Sequence, residues 1–388
     1  MDSKIKNGCF RKKQITYDLI RPFVFKNALL LRNKLNYMNQ YLILQHPGHN
    51  RVYFNFAGEL ALGELHIACT KLEIQFEKLE IIKIERIRYI SLKTNNIITE
   101  KELEYLSRLS FIFAIFKANT DENNQISLTP IPVFEYEYVD NKISTILKYA
   151  GKTNESFTKM MVNIALLSSD FSYDDTIELL DPVAGKGTTL YEGMVYGFNV
   201  AGIEIDKKPV HEMSTFFKKY LETERYKHTA DKRQIFGKNR SEAVYVDEFE
   251  YSVNKEDFRS ENLRHTLSMV NGKAQEASNY YKNNQFHLIV GDLPYGISHG
   301  SSTNEKSNSN TRNPLELLTL SLPHWDKILK VGGVVVISWN TFIIARHRLF
   351  DVFTDNGFTI LNDYPYNNFE HMVDKSIKRD FIVAKKTS

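Results

Sequence analysis

Cysteine is almost missing from this chain: its 388 residues include two, Cys9 and Cys69. Two thiols so far apart exclude a disulfide framework and a cysteine zinc site. No metal centre is expected, and a reducing, cytoplasmic setting is. Long apolar runs are missing too. Stretches such as Val334-Val335-Val336-Ile337 and Phe342-Ile343-Ile344-Ala345 fall far short of the roughly 20 residues that cross a bilayer, so no membrane partner is expected. The opening Met1-Asp2-Ser3-Lys4-Ile5-Lys6 leads into no apolar core or small-residue cleavage site, and no secretory signal is expected. Nor is there a surplus of one charge: a formal net charge of +3 is too small to announce a polyanion binder, so only its distribution informs.

That distribution is uneven. Residues 1–37 carry nine Lys and Arg against Asp2 and Asp18. A second basic stretch holds Arg225, Lys227, Lys232, Arg233, Lys238 and Arg240 against Asp231, with Tyr226, His228 and Phe236 interleaved. Either could line a phosphate track or be a solvated face. The length suits two domains, and 42% hydrophobic residues suffice for a core in each. A basic extension over 1–37 is expected to precede an α+β domain over 38–142. There Tyr41–Leu44, Val52–Phe56, Ile81–Ile84 and Ile87–Ile90 read as strands, with helical spacing between Glu59 and Phe76 and over Glu100–Leu109. From about 143 to 388 the pattern is α/β: strands at Ile177–Leu180, Val200–Ile205, His287–Val290 and Gly333–Ser338 alternate with helices, as in a parallel, doubly wound sheet. The spacing implies an insertion at about 225–285. There is no internal repeat.

Two motifs carry chemistry. In Asp181-Pro182-Val183-Ala184-Gly185-Lys186-Gly187-Thr188, an acid ends a strand, two glycines let the backbone approach a ligand, and Thr188 starts a helix. A dinucleotide fingerprint would need Gly-x-Gly-x-x-Gly, and a P-loop would need Ser or Thr directly after Gly185-Lys186; neither fits. Glu204 ends the next strand, 23 residues beyond Asp181, where a carboxylate can accept hydrogen bonds from both ribose hydroxyls. Asp206 competes for that role, since strand alternation points it to the same side.

The second motif, Asp292-Leu293-Pro294-Tyr295-Gly296, follows an apolar strand and so lies at the same carboxyl edge. An exocyclic amine of a nucleobase is a poor nucleophile because its lone pair is delocalised into the ring. The Asp292 carboxylate and Leu293 carbonyl can accept its two hydrogens, Pro294 stiffens the loop, and Tyr295 can stack on the base. Gly296 permits the turn. A polar loop over 301–313 follows, as a lid or a passive surface. The paired motifs point to methylation of an exocyclic amine with S-adenosylmethionine.

On these residues the chain resembles the THUMP-associated and related tRNA guanosine-N2 methyltransferases. The likeness covers about residues 143–385 and extends to Tyr149-Ala150-Gly151-Lys152-Thr153-Asn154, Asn163-Ile164-Ala165 and Leu329-Lys330-Val331-Gly332-Gly333. It implies a Rossmann-like class I methyltransferase domain after a smaller RNA-binding α+β domain of THUMP or ferredoxin-like type. It also implies S-adenosylmethionine as cofactor, and RNA, with tRNA foremost, as partner. Cofactor contacts are implied for Thr153, Asp181, Ala184, Gly185, Gly187, Thr188, Glu204, Ile205, Asp206 and Asp292. For a guanine, Ser298, His299, Arg312 and Asn313 are the candidate contacts to the remaining base edge. The chain departs from the family in three places. Leu293 stands where the family has a first proline, the amino-terminal match is confined to Gly58–Leu65, and the adenine contact inside the long interval can be assigned only to Asp247 or Asp257. A DNA adenine-N6 or cytosine-N4 methyltransferase, or a non-catalytic RNA-binding protein of the same fold, are the alternatives.

Overall fold

The structure, a computed structural model, describes residues 38–388 apart from 48–50, 150, 237–242 and 295–312. Its first sheet is antiparallel and built from β1 (Asn39–Gln45), β2 (Phe76–Ile84), β3 (Ile87–Thr94), β4 (Ile112–Thr120) and β5 (Ile126–Ile131), in the order β2-β3-β1-β4-β5. Central β1 buries Tyr41, Leu42 and Ile43. Between β2 and β3 the chain turns on Glu85 and Arg86, both at positive φ (47° and 72°), the backbone that a two-residue hairpin demands. Helix α2 (Glu100–Ser107) starts on a capping box in which the Thr99 hydroxyl accepts from Glu102 N–H and the Glu102 carboxylate accepts from Thr99 N–H.

Helix α1 (Arg51–Lys71) replaces the strand expected at Val52–Phe56. The β-branched and aromatic run has strand propensity. The residues after it, however, bury Leu60, Ala61, Leu65 and Ala68, a stripe that only a continuous helix can present to the sheet, and packing outweighs local preference.

After a short α3 (Ile143–Ile146), helix α4 (Glu155–Ser168) starts on an Asn154 cap that accepts from Phe157 N–H. It packs against α1 on one side and against the second sheet on the other. Hence it is buried at nearly every position from Phe157 to Ser168 and shows no polar face. Its one deeply buried amide, Asn163, sits in a junction. Glu64 of α1 accepts from Ser110 N–H (3.0 Å), Ser110 Oγ (2.5 Å) and Asn163 Nδ2 (2.7 Å), while Tyr173 Oη donates to Asn163 Oδ1 (2.9 Å). Burial pushes the Glu64 pKa up and these hydrogen bonds oppose the rise.

The second sheet holds β6 (Glu178–Asp181), β7 (Asn199–Glu204), β8 (Lys227–Phe236), β9 (Ala243–Ser252), β10 (His265–Asn271), β11 (Phe286–Asp292), β12 (Leu329–Asn340), β13 (Thr359–Leu361) and β15 (Lys378–Lys385), with β14 (His371–Met372) paired to β15 alone. Its order is β13-β15-β12-β11-β6-β7-β10-β9-β8. The five central strands, β12 to β10, run parallel, and each strand outside them pairs antiparallel with its neighbour. Within 225–285 the β8–β9 hairpin extends the sheet, and β10 then returns parallel to β7. Successive residues face opposite ways: Leu179 and Val200 join one core with Leu190 and Met213, whereas Leu180 and Ala201 join the other with Leu318 and Trp325. Those partners lie on α5 (Thr188–Val195) and α6 (Lys207–Thr223) on one face and α9 (Pro314–Ile328) on the other, where α10 (Arg346–Asp355) also packs. The short α7 (Lys255–Arg259) and α8 (Ala277–Tyr280) flank β10. The result is the doubly wound α/β fold expected, with the first core continuing into the antiparallel sheet through Leu65 and Ile43. Among the described residues no helix is long and apolar enough to cross a membrane.

The junction yields a stability test. Glu64→Ala strips the buried Ser110 N–H and Asn163 amide of their acceptor. It should therefore lower unfolding free energy by about 2–4 kcal/mol in chemical denaturation, with Glu64→Gln costing less; a change within about 0.5 kcal/mol would show that the junction is not structural.

Candidate functional site

Because β6, β7 and β11 are parallel neighbours, their carboxyl ends reach one edge and bring Asp181, Glu204 and Asp292 there together. The turn after β6 is tied down by its own backbone. Asp181 Oδ1 accepts from Val183 N–H (3.0 Å), Ala184 N–H donates to Ile203 O (2.9 Å), and Gly187 N–H donates to Ala184 O (2.7 Å). Gly185 and Gly187 have φ of 52° and 86°, left-handed values that any side chain would strain. Nothing lies within 4 Å of where a Gly185 Cβ would stand, so conformation, not crowding, requires glycine there. Thr188 opens α5 and shares a 3.1 Å hydrogen bond with Tyr149 Oη.

Glu204 is engaged from both sides: Oε2 accepts from Gly185 N–H and Oε1 from Asp206 N–H, each at 2.9 Å. Burial raises its pKa, and these amides counter that. Asp181 is more deeply enclosed. Burial, with lesser contributions from Asp292 and Glu204, pushes its carboxyl up to about 7 against hydrogen bonds from Thr189 and Val183.

Glu204, Ile205, Asp206, Asp292 and Pro294 line one cleft of about 410 Å³, walled by the apolar side chains of Val183, Ile203, Pro209 and Leu317 and by the turn Gly272–Gln275. Apolar walls around a strand-end carboxylate suit a nucleoside: such walls can take a base and such a carboxylate can accept from ribose hydroxyls. Neither candidate adenine contact is there. Asp247 on β9 accepts from Ser214 (2.7 Å) and pairs with Lys232 (3.3 Å), and Asp257 is bound to Asn254 at the start of α7 (2.7 Å). Their place is taken by the Gly272–Gln275 turn, held by Gly272 N–H and Asn271 Nδ2 donating to Glu204 O, each at 3.0 Å. Lacking an acid, this turn gave no sequence signal; only the parallel pairing of β10 with β7 puts it at the edge.

Asp292 is held in place by three groups. Thr153 Oγ1 donates to its Oδ2 (2.5 Å), Ser338 Oγ donates to its Oδ1, and Arg379 Nη2 lies 3.6 Å from Oδ2. Leu293 is buried and its N–H donates to Ser338 O (2.9 Å), which extends the β11–β12 pairing one step into the loop. Pro294 is exposed. Tyr295, Ser298, His299 and Arg312 lie outside the described residues. Asn313 caps α9, its side chain accepting from Leu315 N–H (3.1 Å). Ser338 and Arg379 were missed by sequence reasoning. Ser338, a hydroxyl ending an apolar run, was a visible clue; nothing in the spacing marks Arg379. Among the described residues no group of three or more His, Cys, Asp or Glu side chains is placed to hold a metal ion.

Comparison with known proteins bears on this edge. Residues 148–308 match the model of the UPF0020 family, described as an RMKL-like methyltransferase domain. A search of curated proteins finds no sequence match. Similar solved structures include a TehB-like SAM-dependent methyltransferase from Corynebacterium glutamicum (12% identity, 55% of this chain and 81% of that one, TM-score 0.31). They also include an rRNA methylase from Streptococcus thermophilus (11%, 55% and 89%, 0.29) and the Methanococcus jannaschii fibrillarin pre-rRNA processing protein (11%, 80% and 100%, 0.33). The match likens residues 148–308, less than half of the chain, to a methyltransferase domain, a class of domain that uses S-adenosylmethionine.

Two measurements probe the edge. Since folding raises the Asp181 pKa above its unfolded value, the folded state binds the extra proton. The associated stability is complete below about pH 4 and is lost as pH rises through about 7. Asp181→Asn keeps an acceptor but no charge, so its melting temperature relative to wild type should rise between pH 5 and pH 8; a constant difference would place the titration elsewhere. Separately, Glu204→Ala should weaken S-adenosylhomocysteine binding by roughly 2–3 kcal/mol in calorimetry, whereas Asp292→Ala should leave it within a few-fold of wild type. Unchanged affinity in Glu204→Ala would move the ribose contact to Asp206.

Proposed function

We propose that this chain methylates an exocyclic amino group of a nucleobase in RNA, with guanosine N2 in tRNA as the favoured target. The observation that carries this reading is the placement of Asp292 on the wall of the cleft that also contains Glu204. A carboxylate there adjoins both the cofactor and an incoming base. S-adenosylmethionine would, when bound in this cleft, supply an electrophilic methyl group on sulfur, and Glu204 would hold its ribose hydroxyls. Asp292 and the Leu293 carbonyl each accept a hydrogen bond from the amine, which turns the nitrogen lone pair out of conjugation and toward the cleft; as the N–CH3 bond forms the S–CH3 bond breaks, S-adenosylhomocysteine departs, and the surplus amine proton passes by way of Asp292 to solvent. Thr153, Ser338 and Arg379 fix the Asp292 carboxylate, so little reorganisation accompanies the reaction. The preference for guanosine N2 and tRNA, like the RNA-binding role of residues 38–142, rests on resemblance.

The two basic stretches now differ. Along the β8–β9 hairpin Lys232 pairs with Asp247 (3.3 Å) and Arg233 with Glu248 (2.7 Å), so cross-strand acids offset two of the six cations of that stretch. The nine cations of residues 1–37 are therefore the stronger phosphate-binding candidate. Deleting 1–37 should flatten the salt dependence of RNA binding more than neutralising Lys232 and Arg233 does, at about one unit of slope or slightly less per lost contact.

Methyl transfer from labelled cofactor into total tRNA and into duplex DNA, followed by nucleoside mass spectrometry, tests the assignment. N2-methylguanosine in tRNA is expected, with Asp292→Ala slower by on the order of 10²-fold or more. N6-methyladenine or N4-methylcytosine in DNA would overturn both base and polymer, and no product in either would favour a binding protein.

A further inference from the structure

Asp292 stands between two clefts. It lines the cofactor cleft, while two of its partners, Thr153 and Arg379, line a second cleft of about 230 Å³ together with Asn154, His371 and Met372. Arg379 reaches this place from β15, where it pairs in register with Asn340 of β12 and His371 of β14. Its residue surface is 4% exposed. The guanidinium lies over the Phe157 ring, 4.9 Å from the centroid, a cation–π contact. Its Nη2 is 3.6 Å from Asp292 Oδ2, too long for a hydrogen bond. The two charges therefore stand side by side, a donor beside an acceptor.

We propose that Arg379 reads the ring nitrogen next to the amine being methylated, so that Asp292 and Arg379 together recognise an N–C–NH2 edge from the second cleft. This deepens the proposed function and rests on it. Every amino-bearing base offers such an edge: guanine N2 lies beside N3, adenine N6 beside N1, and cytosine N4 beside N3. Uracil and hypoxanthine lack it. The carboxylate accepts from the amine and the guanidinium donates to the ring nitrogen. The base is thereby held in plane with its amine at the partition between the clefts.

A double-mutant cycle between enzyme and RNA tests this. The substrate is a short RNA carrying the mapped target guanosine, or 3-deazaguanosine at that position, in which ring N3 becomes C–H. For wild type, the deaza RNA should lower kcat/KM by about 10- to 100-fold. Arg379→Gln should lose a similar factor on the natural RNA, and the deaza change should then cost it less than about 3-fold. Losses that multiply would overturn the proposal and leave Arg379 as a support for Asp292. Calorimetry with S-adenosylhomocysteine confirms that Arg379→Gln is folded, and Arg379→Lys, without the planar fork, should not restore the deaza penalty in full. If the mapped product is N6-methyladenosine, the guanine reading fails and the same cycle on 1-deazaadenosine decides the role of Arg379.

Discussion

Three carboxylates have to share one sheet edge, and most of what is distinctive in this domain follows from how their repulsion is settled. Asp181, Glu204 and Asp292 end adjacent parallel strands, so none can move away without breaking the sheet. Each is accommodated differently. Asp181 is buried and its pKa rises to about 7. Glu204 is half-buried, lines the cleft and is held by two backbone amides. Asp292 has two hydroxyl donors and a guanidinium. The glycine turn is part of the same settlement, because Gly185 N–H reaches Glu204 from a left-handed backbone that glycine adopts without strain.

The site also depends on the antiparallel sheet. Thr153 sits one residue before the Asn154 cap of α4, and Asn163, about three turns or ~15 Å further along, is bound to Glu64 of α1. A helix pinned in its middle delivers its amino terminus to a definite place, so the junction with the first sheet bears on where the Thr153 hydroxyl meets Asp292. The two sheets share a core along α4 rather than meeting at a polar interface, which favours one rigid arrangement over hinge motion.

Local pattern was sufficient for much of this. The strands bearing Asp181, Glu204 and Asp292, the glycine turn, and the spacing from Asp181 to Glu204 were legible because each depends on a few neighbouring residues: an apolar run, a left-handed turn, an acid at a strand end. The same local reading misjudged Val52–Phe56, where strand propensity yielded to a 21-residue helix, and it offered Asp247 and Asp257 for a place that a turn without acids occupies.

What the sequence by itself determined is the frame: an α/β sheet that brings a glycine turn and three strand-end acids to one edge. What tertiary structure decided is which residues surround those acids. Ser338 meets Asp292 because β12 lies beside β11, Gly272–Gln275 lines the cleft beside Glu204 because β10 lies beside β7, and Arg379 arrives from a strand 87 positions beyond Asp292 that inserts antiparallel next to β12. Strand order is set by the burial of whole faces and not by any short motif. Contacts made across strands therefore leave no spacing in the chain from which they could be read.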